Sequence, residues 1–292
     1  MDVNQKLLKR TKLLSLKLKR QLPYVHWMQL IAHCIKRDLK LNTLIKKVDY
    51  DSSHDITLYR VPSYNRPLWL PHADPELIDL DSNLALLGYY HGEDINSLVK
   101  ANDIVLDCGG YVGLFALWAL AKNASKVVVF EPLERNIECI KRNLSDYINA
   151  GRVILIEAGV WNCVGDMEFF EDEGGPGSTF IKDIVYEKSS GLFRDVHLKN
   201  IHNRISVVTI DDTVENLKLS SINLIKMDVE GAEPEALLGA SNTLMKCFPN
   251  LAICTYHKEN HPQVIHSIVT DINPQYRHSF TTKGQFITCW QN

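Results

Sequence analysis

From residue 103 onward, short apolar runs rich in β-forming residues alternate with amphipathic stretches. The runs predict strands at 103–107, 126–131, 152–157, near 205–210, 222–228, near 251–256, 276–281 and 285–290. Between them, helical spacing predicts helices over 112–122 and 134–146, from about 234 and from about 262. Short strands separated by helices imply parallel strands joined by crossovers. The expected fold class is therefore α/β, a doubly wound, mostly parallel sheet. The closing "YRHSFTTKGQFITCW" reads as a hairpin that gives this sheet an antiparallel C-terminal edge.

The earlier part of the chain has a different pattern. "MDVNQKLLKRTKLLSLKLKR" puts Leu7, Leu14 and Leu18 on one helical face with lysines and arginines around it, and Pro23 divides the first forty residues into two helices. Residues 49–100 mix extended pieces with turn signals such as "YRVPSYNRPLWLPHADPE", followed by a helix across "INSLVKA". The expected organisation is a basic helical extension and irregular lead-in over 1–80, then one α/β domain over 81–292. Residues 171–204 are polar and glycine-rich and fit neither pattern. They read as a lid over a binding site, with plain surface disorder as the alternative.

Length and composition, 292 residues with 45% apolar content, allow a substantial core and argue against a disordered chain. The net charge of -3 conceals an asymmetry, because residues 1–40 carry ten Lys/Arg against two Asp/Glu. The remainder is thus acidic, which disfavours a nucleic-acid binder. The basic arm reads as an accessory extension packed on the main domain or a second subunit, with contact to an anionic membrane surface as the alternative. Seven cysteines without a metal-type C-x-x-C pair read as reduced thiols, and the leucines of the arm are too interrupted for a signal peptide or span; a cytoplasmic protein is expected.

Candidate chemistry begins in "NDIVLDCGGYVGLFALWALA", where a strand ends at Asp107 and runs into Gly109, Gly110 and Gly113. Ligands of open parallel sheets bind beyond the carboxyl ends of the strands, and glycines let a ligand approach the backbone. The spacing Asp107-x-Gly109-x-x-x-Gly113 is not the dinucleotide pattern G-x-G-x-x-G. An acid there repels a diphosphate and favours an ammonium. The next strand ends in "VVVFEP", placing Glu131 and Pro132 where a carboxylate can take both hydroxyls of a ribose. Together they describe S-adenosylmethionine. Singly, Asp107 would also serve as a turn residue and Glu131 as a solvated strand end.

The stretches "VLDCGGYVGLFAL", "VVVFEPLERNIECIKRNL", "ISVVTIDDTV" and "INLIKMDVEGAEPEALLGA" resemble the FkbM family of S-adenosylmethionine-dependent methyltransferases. The resemblance runs from about 100 to 290 and is most specific over Lys226–Glu233. It implies a class I methyltransferase (Rossmann-like) fold, with Asp107, Gly109 and Gly113 around the aminocarboxypropyl group and Glu131 on the ribose. It also implies that "EAGVW" lines the adenine, with Ala158 in contact and Glu157 either in contact or facing solvent. The family usually has Ala-Asn where this chain has Gly110 and Tyr111, so Tyr111 would cover the methionine portion. The substrate class implied is a sugar or other hydroxylated small molecule, methylated on oxygen.

Methyl transfer from a sulfonium is an in-line displacement, so the protein must align the acceptor and, for a hydroxyl, remove a proton. "KMDVEGAEPEA" brings Asp228, Glu230 and Glu233 to the turn after the fourth strand. Asp228 is expected to face the cofactor and take part in catalysis. Glu230 either binds a substrate hydroxyl or fixes the loop, and Glu233 either binds substrate or stabilises a helix start. The fifth strand ends at Tyr256, expected on the substrate, and His257, expected as a neutral imidazole acting as general base. His261, His266 and His278 have no comparable positional support. Asp228, Glu233 and His257 would also suit a magnesium ion, but their spacing is not diagnostic and no metal is expected. Two other readings remain: a nicotinamide-dependent dehydrogenase, which the missing G-x-G-x-x-G disfavours, and a non-catalytic module binding a glycan or protein.

Overall fold

The computed structural model describes residues 46–61, 64, 66–71, 98–172, 198–280 and 286–290. Its centre is a sheet of seven strands: β4 (Ile104–Cys108), β5 (Lys126–Phe130), β6 (Val153–Ile156), β10 (Leu224–Met227), β11 (Asn250–Cys254), β12 (Arg277–Phe280) and β13 (Phe286–Trp290). Their spatial order is β12-β13-β11-β10-β4-β5-β6. Pairs from β11 through β10, β4 and β5 to β6 are parallel, while β13 runs antiparallel to both β11 and β12. The doubly wound α/β architecture is therefore present with its C-terminal hairpin, whose second strand lies one position in from the edge.

Both faces of the sheet are covered, which is why its strands read as nearly continuous apolar runs. Successive side chains point to opposite faces. Leu106, Val128, Phe130, Ile225, Met227 and Ile253 meet α5 (Glu233–Leu238), α6 (Ser241–Cys247) and α7 (His261–Ile272) in one core. Val105, Val127, Val129, Leu224 and Ala252 meet α1 (Leu114–Ala121) and α2 (Glu134–Asn143) in another. The predicted helix over 134–146 is interrupted at Leu144, and α3 (Ser145–Asn149) follows it.

A second sheet has the order β7-β9-β8, built from β7 (Gly159–Val160), β8 (Gly165–Asp172) and β9 (Leu198–Val208). The strand expected near 205–210 is thus β9, and it lies outside the main sheet. It ends early because Thr209 caps α4 (Ile210–Asn216), its hydroxyl accepting from the backbone N–H of Asp212 at 2.9 Å. The ends of the expected 171–204 lid are strand, and 173–197 lies outside the described residues.

A third sheet, β1 (Lys46–Asp51), β2 (Ile56–Arg60) and β3 (Leu68–Pro71), packs through β3 on α2. Ile56, Leu68 and Leu70 bury against Val112 and Cys139. Asn143 fastens this contact: it accepts from the N–H of Trp69 and donates to the carbonyls of Trp69 and Val112. The two basic helices expected before residue 41 lie outside the described residues. So do residues 95–97 of the helix expected across "INSLVKA", whose remainder is turn. Asn102 there has φ 72, and Asp103 accepts from the N–H of Lys100, so the chain closes on itself instead of propagating a helix. No helix among the described residues is long and apolar enough to cross a membrane.

Candidate functional site

The expected site residues converge where β4, β5, β10 and β11 end. After β4 the chain turns at Gly109, φ 81, so tightly that a Cβ there would lie 1.9 Å from the carbonyl oxygen of Asp228. No side chain can be added without moving β10 and β4 apart. Gly110 is constrained by packing, since a Cβ would meet Val129 Cγ1 at 2.2 Å. Both amides donate to the Phe130 carbonyl, at 3.1 and 3.0 Å, which ties the turn to the tip of β5. Tyr111 has φ 51, and its N–H donates to Glu131 Oε2 at 2.8 Å. Gly113 then opens α1.

Asp107 does not face an open ligand side. Its side chain is fully buried, with Oδ1 3.0 Å from Lys226 Nζ, and the two residues are register partners on β4 and β10. Lys226 also donates to the carbonyl of Gly109 at 2.7 Å. Burial pushes the Asp107 carboxyl up against the pull of Lys226; burial would lower the lysine, but Asp107 and Asp228 outweigh it and raise it. Asp107 was expected to serve an ammonium directly or through water; the cation it meets in the structure is Lys226. Strand alternation turns Asp107 towards the α1 face, where it holds the lysine that shapes the turn.

Glu131 sits at the tip of β5, as expected, 4% exposed. Besides Tyr111 it accepts from the N–H of Leu133 and from Asn136 Nδ2 at 3.0 Å. Burial raises its carboxyl to about 7, partly offset by these donors. Pro132 leads directly into α2, Ala158 is buried between β6 and β7, and Glu157 faces outward onto Lys141 at 2.6 Å.

The opposite rim is a cluster around His257. Its Nε2 lies 3.5 Å from Asp228 Oδ1 and 3.4 Å from Glu230 Oε2, and its Nδ1 lies 3.0 Å from Glu233 Oε1. The Tyr256 hydroxyl donates to Asp228 Oδ1 at 3.3 Å, and its ring lies tilted by 43° against the imidazole. The imidazole is fully buried behind the carboxylates. Burial alone would lower its pKa, but Glu233 and Glu230 raise it well above its ordinary value. The geometry does not provide an open base at the mouth; His257 lies buried behind the carboxylates, which favour its protonated form. Glu233, also fully buried, cannot touch a substrate. It accepts from the Val229 N–H at 3.0 Å and pins the loop. Asp228, Glu230 and Tyr256 retain exposure.

Two residues were not singled out in the sequence. Lys226 is a lone cation in the apolar run "NLIKMD", a pattern that signals an internal partner. His261, whose Nδ1 is 3.6 Å from Glu233 Oε2, follows His257 in the spacing H-x-x-x-H, a signal for imidazoles converging on one point.

Residues 107–275, more than half of the chain, match the sequence model of the Methyltransferase FkbM domain. The chain is 24% identical over 233 residues to Methyltransferase sdnD of Sordaria araneosa, covering 68% of this chain and 88% of that one. It is 25% identical over 174 residues to Hexuronic acid methyltransferase AglP of Haloferax volcanii, covering 59% of this chain and 63% of that one. A crystal structure of Methyltransferase FkbM from Methylobacillus flagellatus KT superposes with a TM-score of 0.49 at 19% identity. That superposition covers 73% of this chain and 51% of the other, about half its length. The glycine turn and the acid-bearing strand tips fall within the matched residues, and the chain belongs to the FkbM methyltransferase family.

Proposed function

We propose that the protein transfers a methyl group from S-adenosylmethionine to a hydroxyl of a small, sugar-like acceptor. The observation that carries this reading is the coupling of the glycine turn to Glu131: the tip of β5 holds both the turn amides and a buried carboxylate, beside the carbonyl-lined tip of β10. In this reading Glu131 takes the ribose hydroxyls, the turn from Gly109 to Gly113 receives the aminocarboxypropyl end, and Ala158 borders the adenine. When bound, the cofactor supplies the electrophilic methyl.

The acceptor hydroxyl would approach Asp228 and Glu230, whose carboxylates retain exposure, with Tyr256 alongside. A carboxylate there would accept the hydroxyl proton as the new C–O bond forms and the methyl–sulfur bond breaks, leaving S-adenosylhomocysteine. His257 lies behind both carboxylates, with Nε2 3.5 Å from Asp228 Oδ1 and 3.4 Å from Glu230 Oε2, so it is a positioning residue. The name of the AglP relative, a hexuronic acid methyltransferase, supports a sugar-class acceptor, and no nucleic acid is proposed. We place the protein in the cytoplasm, since singly buried thiols such as Cys108, Cys139 and Cys254 suit a reducing compartment.

Calorimetric titration with S-adenosylhomocysteine and with NADH, followed by transfer of labelled methyl to a panel of hydroxylated acceptors, tests this reading. Binding of the sulfur nucleoside alone, weakened tens of fold by Glu131→Ala, is expected. Binding of NADH instead would replace the reading with a dehydrogenase.

A further inference from the structure

Among the described residues, the buried side-chain polar atoms that lack a hydrogen-bond partner fall in two places. One is the Asp107 carboxylate, which faces the Lys226 ammonium. The other is Glu233 Oε2 with His261 Nδ1, 3.6 Å apart, beside the His257 ring, whose Nδ1 stands 3.0 Å from Glu233 Oε1 while its Nε2 points away to Asp228 and Glu230. Polar atoms so buried are costly unless something satisfies them.

We propose that Glu233, His257 Nδ1 and His261 Nδ1 bind a divalent first-row transition ion. This site goes beyond the methyl-transfer reading and does not rest on it. The three ligand atoms lie within 4.8 Å of one another, with contacts of 3.0 Å from Glu233 Oε1 to His257 Nδ1 and 3.6 Å from Glu233 Oε2 to His261 Nδ1. Ligands about 2.0–2.2 Å from a shared ion sit roughly 3–3.5 Å apart, so side-chain shifts on the order of 1 Å close the site. All three side chains are almost completely buried and aimed at the same point.

A proton satisfies this arrangement less fully. Shared between Glu233 Oε1 and His257 Nδ1 it leaves Glu233 Oε2 and His261 Nδ1 without a bond, whereas one cation meets all three residues. Charge points the same way, since three carboxylates, Asp228, Glu230 and Glu233, surround a single imidazole. Two imidazole nitrogens and one carboxylate suit zinc, iron or manganese better than calcium or magnesium, which prefer oxygen-only shells. The carboxylate is also oriented from behind by the Val229 N–H, the kind of outer support that metal ligands carry.

The ion would join the start of α5, which Glu233 opens, to the start of α7, which His261 opens. Its ligands are too buried for it to touch an acceptor. Its effect would pass through the imidazole: with Nδ1 on the metal, Nε2 carries the proton and faces Asp228 and Glu230. The ion would thus set the orientation of the two half-buried carboxylates.

The test uses the full chain, stripped with a chelator, dialysed, and titrated with Zn2+ by calorimetry, with metal content measured on the dialysed complex. One equivalent of zinc per chain is expected, and cobalt substitution should give visible ligand-field bands. His261→Asn, which keeps a polar side chain at the site, should weaken zinc affinity by roughly a hundredfold while the metal-free protein still unfolds cooperatively, and Glu233→Gln, which keeps the side chain's size, should weaken it similarly. Failure of the wild type to take up stoichiometric zinc, cobalt or manganese overturns the proposal, as does equal uptake by His261→Asn. Affinity for S-adenosylhomocysteine, measured on the same samples, reads the methyltransferase proposal separately.

Discussion

Asp107 and Lys226 stand in register on adjacent parallel strands, 3.0 Å apart and both almost fully buried. Leaving one member of such a pair alone in the interior costs about 3–5 kcal/mol, although replacing both can be nearly neutral. Lys226→Met is therefore expected to lower unfolding free energy by about 3–5 kcal/mol in urea denaturation, and Asp107→Asn combined with Lys226→Met to lower it less. A single substitution costing under about 1 kcal/mol would show that the pair does not hold the turn.

Gly109 and Gly151 separate two reasons for glycine. Both have positive φ, 81 and 69, but a Cβ at Gly151 meets nothing within 4 Å. Gly151→Ala should cost about 1–2 kcal/mol, the left-handed backbone cost alone. Gly109→Ala adds a collision with the Asp228 carbonyl and should cost several kcal/mol more, about 3 or above, and abolish S-adenosylhomocysteine binding. Equal melting temperatures for the two variants would contradict the close approach of β4 and β10.

Glu131 predicts two opposite pH trends. Its carboxyl is raised by burial from 4.5 to about 7, so between those values the native state keeps a proton that the unfolded chain releases. Its stabilising contribution is complete below the unfolded value and is lost as pH rises through 7, by about 3 kcal/mol in all. Cofactor affinity should run the other way, rising over the same window as the carboxylate becomes a full acceptor for ribose hydroxyls. Glu131→Gln should flatten both trends in thermal scans and titrations at pH steps.

Tyr256 touches the acceptor side through a hydroxyl that donates to Asp228, and it is 39% exposed. Tyr256→Phe deletes one hydrogen bond of about 0.5–1.5 kcal/mol, so turnover should fall roughly two- to tenfold. Affinity for S-adenosylhomocysteine should stay unchanged. A matching loss in both would move Tyr256 to the cofactor side.

The strand and helix order around the site was legible because β4, β5, β10 and β11 are buried on both faces and announce themselves as apolar runs. The glycine turn was legible for a local reason as well, since Gly109 and Gly113 adopt backbone angles that most side chains resist. What escaped depends on partners distant along the chain. That Lys226 neutralises Asp107 follows from the register of β4 against β10, which no local pattern encodes. His257 looked like a neutral base because its neighbours Glu230 and Glu233 belong to a different loop, and their proximity raises its pKa. β9 read as another core strand because its composition is the same in a small sheet as in a large one, and only its pairing with β8 and β7 separates the two.

The interior position of β13 also bears on how the chain is made. β12 leaves the ribosome before β13, yet it can join the sheet only through β13, which alone pairs with both it and β11. A nascent or clipped polypeptide ending before Phe286 would present β11 as an open border of unpaired amides and carbonyls, next to Tyr256 and His257. Such a border invites pairing with a second polypeptide, so the docking of β13 decides whether this flank is sealed or becomes a seed for aggregation.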